Sequence, residues 1–109
     1  VGKFDEARPL YERAVKEKEQ GDVHGRVDHE SLGSSLHLVG FCLSSVGKFD
    51  EARPWYERAV NETEQGDVHG RVDHESLKAS LEALASCYRE AGLVEDATKI
   101  EERISPMGK

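Results

Sequence analysis

Aromatic residues make up only 6% of this 109-residue chain, and two cysteines, three prolines and one methionine complete the scarce types. Two cysteines are too few for a disulfide framework. No apolar run is long enough to cross a bilayer, so no membrane span is expected; no charged-then-apolar leader opens the sequence, which starts in mid-pattern, where a leader would already have been lost. Cations are outnumbered, with 15 Lys and Arg against 22 Asp and Glu for a net charge of −7. Such a surface repels phosphate backbones and anionic lipid heads, which argues against nucleic acid or membrane as a partner. A phosphate-binding glycine loop and an HExxH pair are both missing. Asp28, His29 and Ser31 include the residue types of a hydrolase triad, but lie too close together on one turn to align nucleophile, base and orienter. No catalysis and no cofactor are therefore expected.

What is present is a tandem repeat. The block from Val1 to Ser45 returns from Val46 to Glu90 with 13 mismatches, and a partial third copy, AGLVEDATKIEERI, starts at Ala91. A period of 45 residues points to a solenoid, in which each unit buries its apolar face only against its neighbours. Within one period two helical patterns follow each other. Leu32, Leu36, Val39, Gly40, Leu43 and Val46 step by three and four, as do Phe49, Ala52, Tyr56, Ala59 and Val60. Gly47 between them can take the left-handed geometry that ends a helix, and Gly66 stops the second pattern after Gln65. A GDVHGRVD loop then leads to the next hairpin near His74. Asp28 or His29 with Ser31, and Asp73 or His74 with Ser76, can cap the first helix of each hairpin. Pro9 and Pro54 lie a few residues inside the second helix and predict a shifted or gently kinked start.

The expected organisation is one all-α array over residues 1–109, with about five helices. Residues 1–20 form the second helix of a truncated repeat, 29–65 a full hairpin, and 74–104 a hairpin with a capping helix. Val1 stands in mid-pattern, which predicts a cut from a longer array. Glu101 at the place of Tyr11 and Tyr56, polar Thr98, Lys99 and Glu102, and Pro106 predict a solvated terminal cap. The opening helix, by contrast, is expected to expose Phe4, Tyr11 and Val15 and to pair with another chain. Cys42 and Cys87 occupy the same place in successive units, about 10 Å apart in a stack and beyond the ~7 Å Cα limit of a disulfide. They read as small buried groups in a reduced, cytoplasmic protein.

Counted from Gly47, the residues Leu36, Val39, Gly40, Leu43, Ala52, Tyr56 and Ala59 fall on the signature positions of the tetratricopeptide repeat. The same count from Gly92 gives Leu81, Leu84, Ala85, Tyr88 and Ala97, and from Gly2 it gives Ala7, Tyr11 and Ala14. The whole chain resembles that family. The resemblance implies a right-handed α-solenoid of antiparallel helix hairpins with a concave groove lined by the first helix of each hairpin. A standard unit has about 34 residues, so this one carries roughly 11 more. The A-R-P-x-Y-E-R-A segment and the Asp-His pair are similar to the longer repeats of kinesin light chains and their bacterial relatives, although Glu30 and Glu75 stand where Pro commonly follows Asp-His there.

Ten of the 13 mismatches lie between Gly33 and Ser45 and their counterparts Lys78 to Glu90. The resemblance places Ser34, His37, Phe41, Ser44 and Ser45 of one hairpin, and Ala79, Glu82, Ser86, Arg89 and Glu90 of the next, on the groove. All five pairs differ, whereas packing positions change only between apolar or small residues. This pattern suggests a protein–protein interaction scaffold that binds a partner peptide or protein segment, with Phe41 as anchor. The alternatives are a structural, self-assembling repeat module, or a sensor array of a larger bacterial signalling protein. In the loops His24, Asp28, His29, His69, Asp73 and His74 are weak candidates for a metal. Their spacing matches no established site, and capping and hydrogen bonding, for instance from Arg26 or Arg71 to a nearby carboxylate, are expected instead. Asn61-Glu62-Thr63 matches the glycosylation pattern but falls in mid-helix.

Overall fold

Small residues at two positions let the second and third helices approach so closely that they form the most extensive helix pair of the molecule. The computed structural model describes residues 2–108, so the outer limits expected at residues 1 and 109 fall outside them. Five helices follow one another: α1 (Gly2–Glu19), α2 (His29–Ser45), α3 (Phe49–Gln65), α4 (His74–Glu90) and α5 (Val94–Ile104), with a 3₁₀ turn over Ser105–Gly108. There is no strand among the described residues. Each helix packs on its sequence neighbours, and α2 also touches α4. The extents of 43 × 37 × 18 Å leave room for two helical layers and no third.

The helix ends are set by side chains that the repeat supplies twice. Asp28 precedes α2 in extended geometry and accepts from the Ser31 amide at 3.0 Å. Asp73 does the same for α4, accepting from the Glu75 and Ser76 amides at 3.0 and 3.2 Å. Both are N-caps that satisfy amides the helix leaves free. At the other end of α2, Gly47 has φ +83°, the Lys48 amide donates to the Leu43 carbonyl, and the Gly47 amide donates to that of Ser44. This is a Schellman closure, and Gly92 repeats it after α4 with Leu93 bonded to Tyr88. Three residues therefore join the two helices of each hairpin. Pro54 does not delay the start of α3, which begins five residues earlier at Phe49. The proline removes one amide bond to the Asp50 carbonyl, and the helix runs on through it.

Leu36, Val39, Ala52, Ala59, Leu81 and Ala97 are fully enclosed, and Tyr56 is only 2% exposed. A Cβ added at Gly33 would lie 2.4 Å from Thr63 Oγ1, and one at Gly40 would lie 2.9 Å from the Tyr56 ring. The absence of side chains at these two points sets the spacing between α2 and α3. Cys42 and Cys87 are buried free thiols, and desolvation pushes both pKa values up. They are inert packing groups. No described helix is long and apolar enough to cross a membrane.

One expectation about α1 is corrected. Val15 is 3% exposed and belongs to the common core, because its side of the helix faces α2. Phe4 and Tyr11 are partly exposed, and the most open large apolar residue of the helix is Leu10, at 65%.

The loops GDVHGR fold identically in both copies. Asp67 Oδ1 accepts from the His69 and Arg71 amides at 2.8 and 3.0 Å, while Arg71 Nε donates to Oδ2 at 3.0 Å. Asp22 holds His24 and Arg26 in the same manner. The arginines thus bond within their own loop. The Gly66 carbonyl accepts from the Glu30 amide at 3.0 Å, which ties the start of α2 to the loop that follows α3.

Gly66 has φ +86°, and a Cβ there would lie 2.7 Å from the Arg71 carbonyl oxygen, whereas Gly47 has open space around the same point. A left-handed non-glycine residue costs about 1–2 kcal/mol, and a backbone clash adds ~1–3 kcal/mol. Gly66→Ala should therefore lower the urea midpoint of unfolding at least twice as far as Gly47→Ala, at unchanged m-value. Equal losses would show that the loop yields freely.

Candidate functional site

The first helices of the two hairpins are separated by a groove with a cavity of about 210 Å³. Gly33, Ser34, His37 and Leu38 line it from α2, Ser76, Ala79 and Ser80 from α4, and Thr63 from α3. His37 is the one titratable side chain in this lining. Its Nδ1 is 3.1 Å from Ser80 Oγ, and its ring stands edge-on to Tyr56 with centroids 5.2 Å apart. Burial lowers the His37 pKa, so at neutral pH the imidazole is uncharged and offers one donor and one acceptor. Leu38, 36% exposed, supplies apolar surface at the rim.

A second depression of about 420 Å³ lies between α4 and α5, lined by Glu82, Ala85, Ser86, Arg89, Glu101, Ile104 and Ser105. Here Arg89 grips Glu101 with both arms of its guanidinium, Nε to Oε2 at 2.8 Å and Nη2 to Oε1. The pair holds the Arg89 pKa above and the Glu101 pKa below their ordinary values. It also neutralises the charge that Arg89 would offer to a ligand.

The ten candidate groove residues therefore divide into groups. Ser34, His37 and Ala79 line the first depression, and Glu82, Ser86 and Arg89 line the second. Phe41 is 47% exposed, but its ring meets Phe4 of α1 edge-on at 5.7 Å. Ser44 Oγ donates to the Phe41 carbonyl and lies 3.1 Å from Tyr56 Oη. Ser45 and Glu90 are exposed at their helix ends and line neither depression. Gly33, Leu38, Thr63, Ser76 and Ser80 line the groove without having stood out in the sequence. Their signal there is faint: a run of three small residues, Gly33 to Ser35, in the first half of α2.

The structure also accounts for several mismatches between the copies. Where α2 has Gly40 and Ser44, α4 has Ala85 and Arg89; where α3 has Tyr56, α5 has Glu101. A glycine and a serine face a tyrosine, and an alanine and an arginine face a glutamate. Leu43 is buried, while its counterpart Tyr88 donates to Glu57 at 2.7 Å and lies beneath Arg53. Burial and the carboxylate push the Tyr88 pKa up to about 12. Gly33 is a packing position too, yet its counterpart is Lys78, so the expectation that packing positions stay apolar or small does not hold there.

The loop residues serve as caps and clasps. No group of three metal-ligating side chains occurs among the described residues. Asp28 and Asp73 are occupied as caps, His29 Nδ1 bonds Glu62 Oε1 at 2.7 Å, and His24, His69 and His74 point their exposed side chains to solvent. Asp22 and Asp67 are held below the ordinary carboxylate range chiefly by loop amides, and Asp73 by the Ser76 amide. Glu30 is shifted up, first by desolvation and then by the neighbouring Asp73 carboxylate.

These shifts have opposite signs for stability. The lowered aspartates stabilise the fold above the ordinary Asp range and lose that contribution as pH falls through their folded pKa values. Ionised Glu30 carries a penalty at neutral pH that is relieved as pH falls through its raised pKa. Glu30→Gln should therefore raise Tm slightly at pH 7 and less at pH 4, read by circular dichroism. A gain of the same size at both pH values would contradict this assignment. Compared with protein-family models and with curated proteins, the chain matches none of them.

Proposed function

We propose that the chain is a protein-interaction scaffold of tetratricopeptide type, in which the face formed by α2 and α4 binds an extended or helical segment of a partner protein. In this reading the hairpins form a right-handed solenoid of period 45, built like the longer kinesin-light-chain repeats, with no catalytic role of its own. The observation that carries it is the groove between α2 and α4. It combines an apolar rim at Leu38, small residues at Ser34 and Ala79, and the uncharged hydrogen-bonding pair His37–Ser80. Such a surface suits a small or apolar side chain flanked by polar backbone. It does not suit a strongly charged ligand, because the side chains that line it carry no acidic or basic group other than the uncharged His37. Phe41 and Phe4 extend the apolar surface beyond the groove.

A second reading, self-association, is favoured by the exposure of Leu10 on α1. It concerns a different surface from the groove and is compatible with it.

Peptides selected from a random display library on the wild-type chain should lose affinity about tenfold or more on Ala79→Arg or Leu38→Asp, as expected when a central contact is blocked. Both positions are solvent-exposed, so Tm should stay unchanged. Selected peptides that bind both variants as tightly as wild type would refute the groove.

A further inference from the structure

Helices α1 and α3 carry the same sequence from Gly2 to Gln20 and from Gly47 to Gln65 except at Leu10/Trp55, Lys16/Asn61 and Lys18/Thr63. The last of these differences changes what lies between neighbouring helices. Lys18 reaches across from α1 to the start of α2, where its Nζ donates to the Ser31 carbonyl at 3.2 Å and to Ser35 Oγ at 2.8 Å. Ser35 is only 3% exposed, so the ammonium ends on a buried hydroxyl. Both acceptors are neutral oxygens. The first turn of a helix is the positive end of its dipole and disfavours a cation. Asp28 and Glu30, on either side of Ser31 in the sequence, offset that penalty.

One unit later the acceptors return without their lysine. α4 packs on α3 as α2 packs on α1, and Ser76 and Ser80 take the places of Ser31 and Ser35. Thr63 stands where Lys18 stands and is too short to reach across. The cavity of about 210 Å³ is lined by Thr63, Ser76 and Ser80 together, the counterparts of the lysine and of the two residues that hold it. Asp73 and Glu75 flank Ser76 as Asp28 and Glu30 flank Ser31, and Glu30 lies against Asp73 as a third carboxylate. Lys78 takes the place of Gly33, which meets Thr63 of the helix that follows, so it projects from the other side of α4. The second unit thus keeps the carboxylates and the acceptors and loses the cation.

We propose that the cavity between α2 and α4 is a lysine pocket, which takes one lysine side chain of the partner segment and sets its ammonium on the Ser76 carbonyl and Ser80 Oγ. This rests on the groove reading above and names the side chain that enters. The stem comes in from the open mouth, past Leu38 and Ala79, whereas that of Lys18 comes from the helix beneath. Its four carbons suit the apolar rim. Uncharged His37, 3.1 Å from Ser80 Oγ, can take the serine proton and leave the oxygen lone pairs to the ammonium. The Thr63 hydroxyl can accept the third proton. A single ammonium needs no formal countercharge in the lining, as Lys18 shows, but a guanidinium would bring five donors to these few acceptors and leave some unpaired.

The test titrates N-acetyl-lysine N-methylamide, and the norleucine derivative that has the same stem without the ammonium, into the whole isotope-labelled chain and follows the amides by NMR. The lysine derivative should give saturable shifts at Thr63, Ser76 and Ser80, with an affinity at least about tenfold above that of the norleucine derivative. Thr63→Lys recreates in α3 the arrangement of Lys18 and should abolish these shifts. Should the added bulk disturb α3, Ser80→Ala removes one acceptor without adding bulk and should weaken the lysine derivative about tenfold. No saturable shift, equal affinity for the two derivatives, or lysine binding indifferent to both substitutions would overturn the pocket. Display-selected peptides that lose affinity on Ala79→Arg but contain no lysine would overturn it while leaving the groove reading intact. Saturable lysine shifts with no groove-binding peptide would do the reverse.

Discussion

The approach of α2 to α3 at Gly40 and Tyr56 is the contact on which the remaining geometry rests. With no side chain on Gly40, the tyrosine ring lies flat against helix backbone and is almost fully enclosed. That position brings its hydroxyl to Ser44 and its ring edge to His37. His37 is thereby directed toward Ser80 of the next hairpin, and the floor of the groove between α2 and α4 is set. A second glycine, Gly33, repeats the close approach one end of the helix away, against Thr63. Packing without voids makes such contacts intolerant of even one added methyl group.

The same contact changes how differences between the two repeats are understood. Concentration of mismatches on the first helix suggests a recognition surface when only the sequence is considered. In the folded chain Gly40/Ala85 and Ser44/Arg89 vary together with the residue they face, Tyr56 or Glu101. These positions answer to the neighbouring helix. Ser34/Ala79 and His37/Glu82 line depressions open to solvent, and they are where variation can act on a ligand. Phe41 serves both ends, one face open and one edge against Phe4.

Much of the architecture was legible because the repeat states it twice. The turn glycine Gly47, the stop at Gly66, and the caps Asp28 and Asp73 depend on local backbone chemistry that neighbouring residues determine. Pro54 misled only about where α3 begins, since a proline inside the helix removes one bond and the packed face carries the rest. The burial of Val15 is not legible in the sequence, because an end helix has two sides and period alone does not say which of them is covered. The groove was half visible. Ser34, His37 and Ala79 follow from helical spacing, whereas Thr63, Ser76 and Ser80 join them only through the angle at which α4 meets α2 and α3. The bidentate Arg89–Glu101 pair could be suspected from the matched substitutions once the facing positions were known.

The most direct measurement of the central claim is a double-mutant cycle in the last hairpin, read by chemical denaturation. In the wild-type chain Ala85→Gly removes a good helix former and should destabilise by about 1 kcal/mol. In a Glu101→Tyr background the same Ala85→Gly change should instead stabilise, because it opens the space that the tyrosine ring occupies beside Gly40 in the first hairpin. A reversal of sign is the predicted result. An Ala85→Gly effect of the same sign and size in both backgrounds would contradict the claim that glycine facing tyrosine governs how these helices meet.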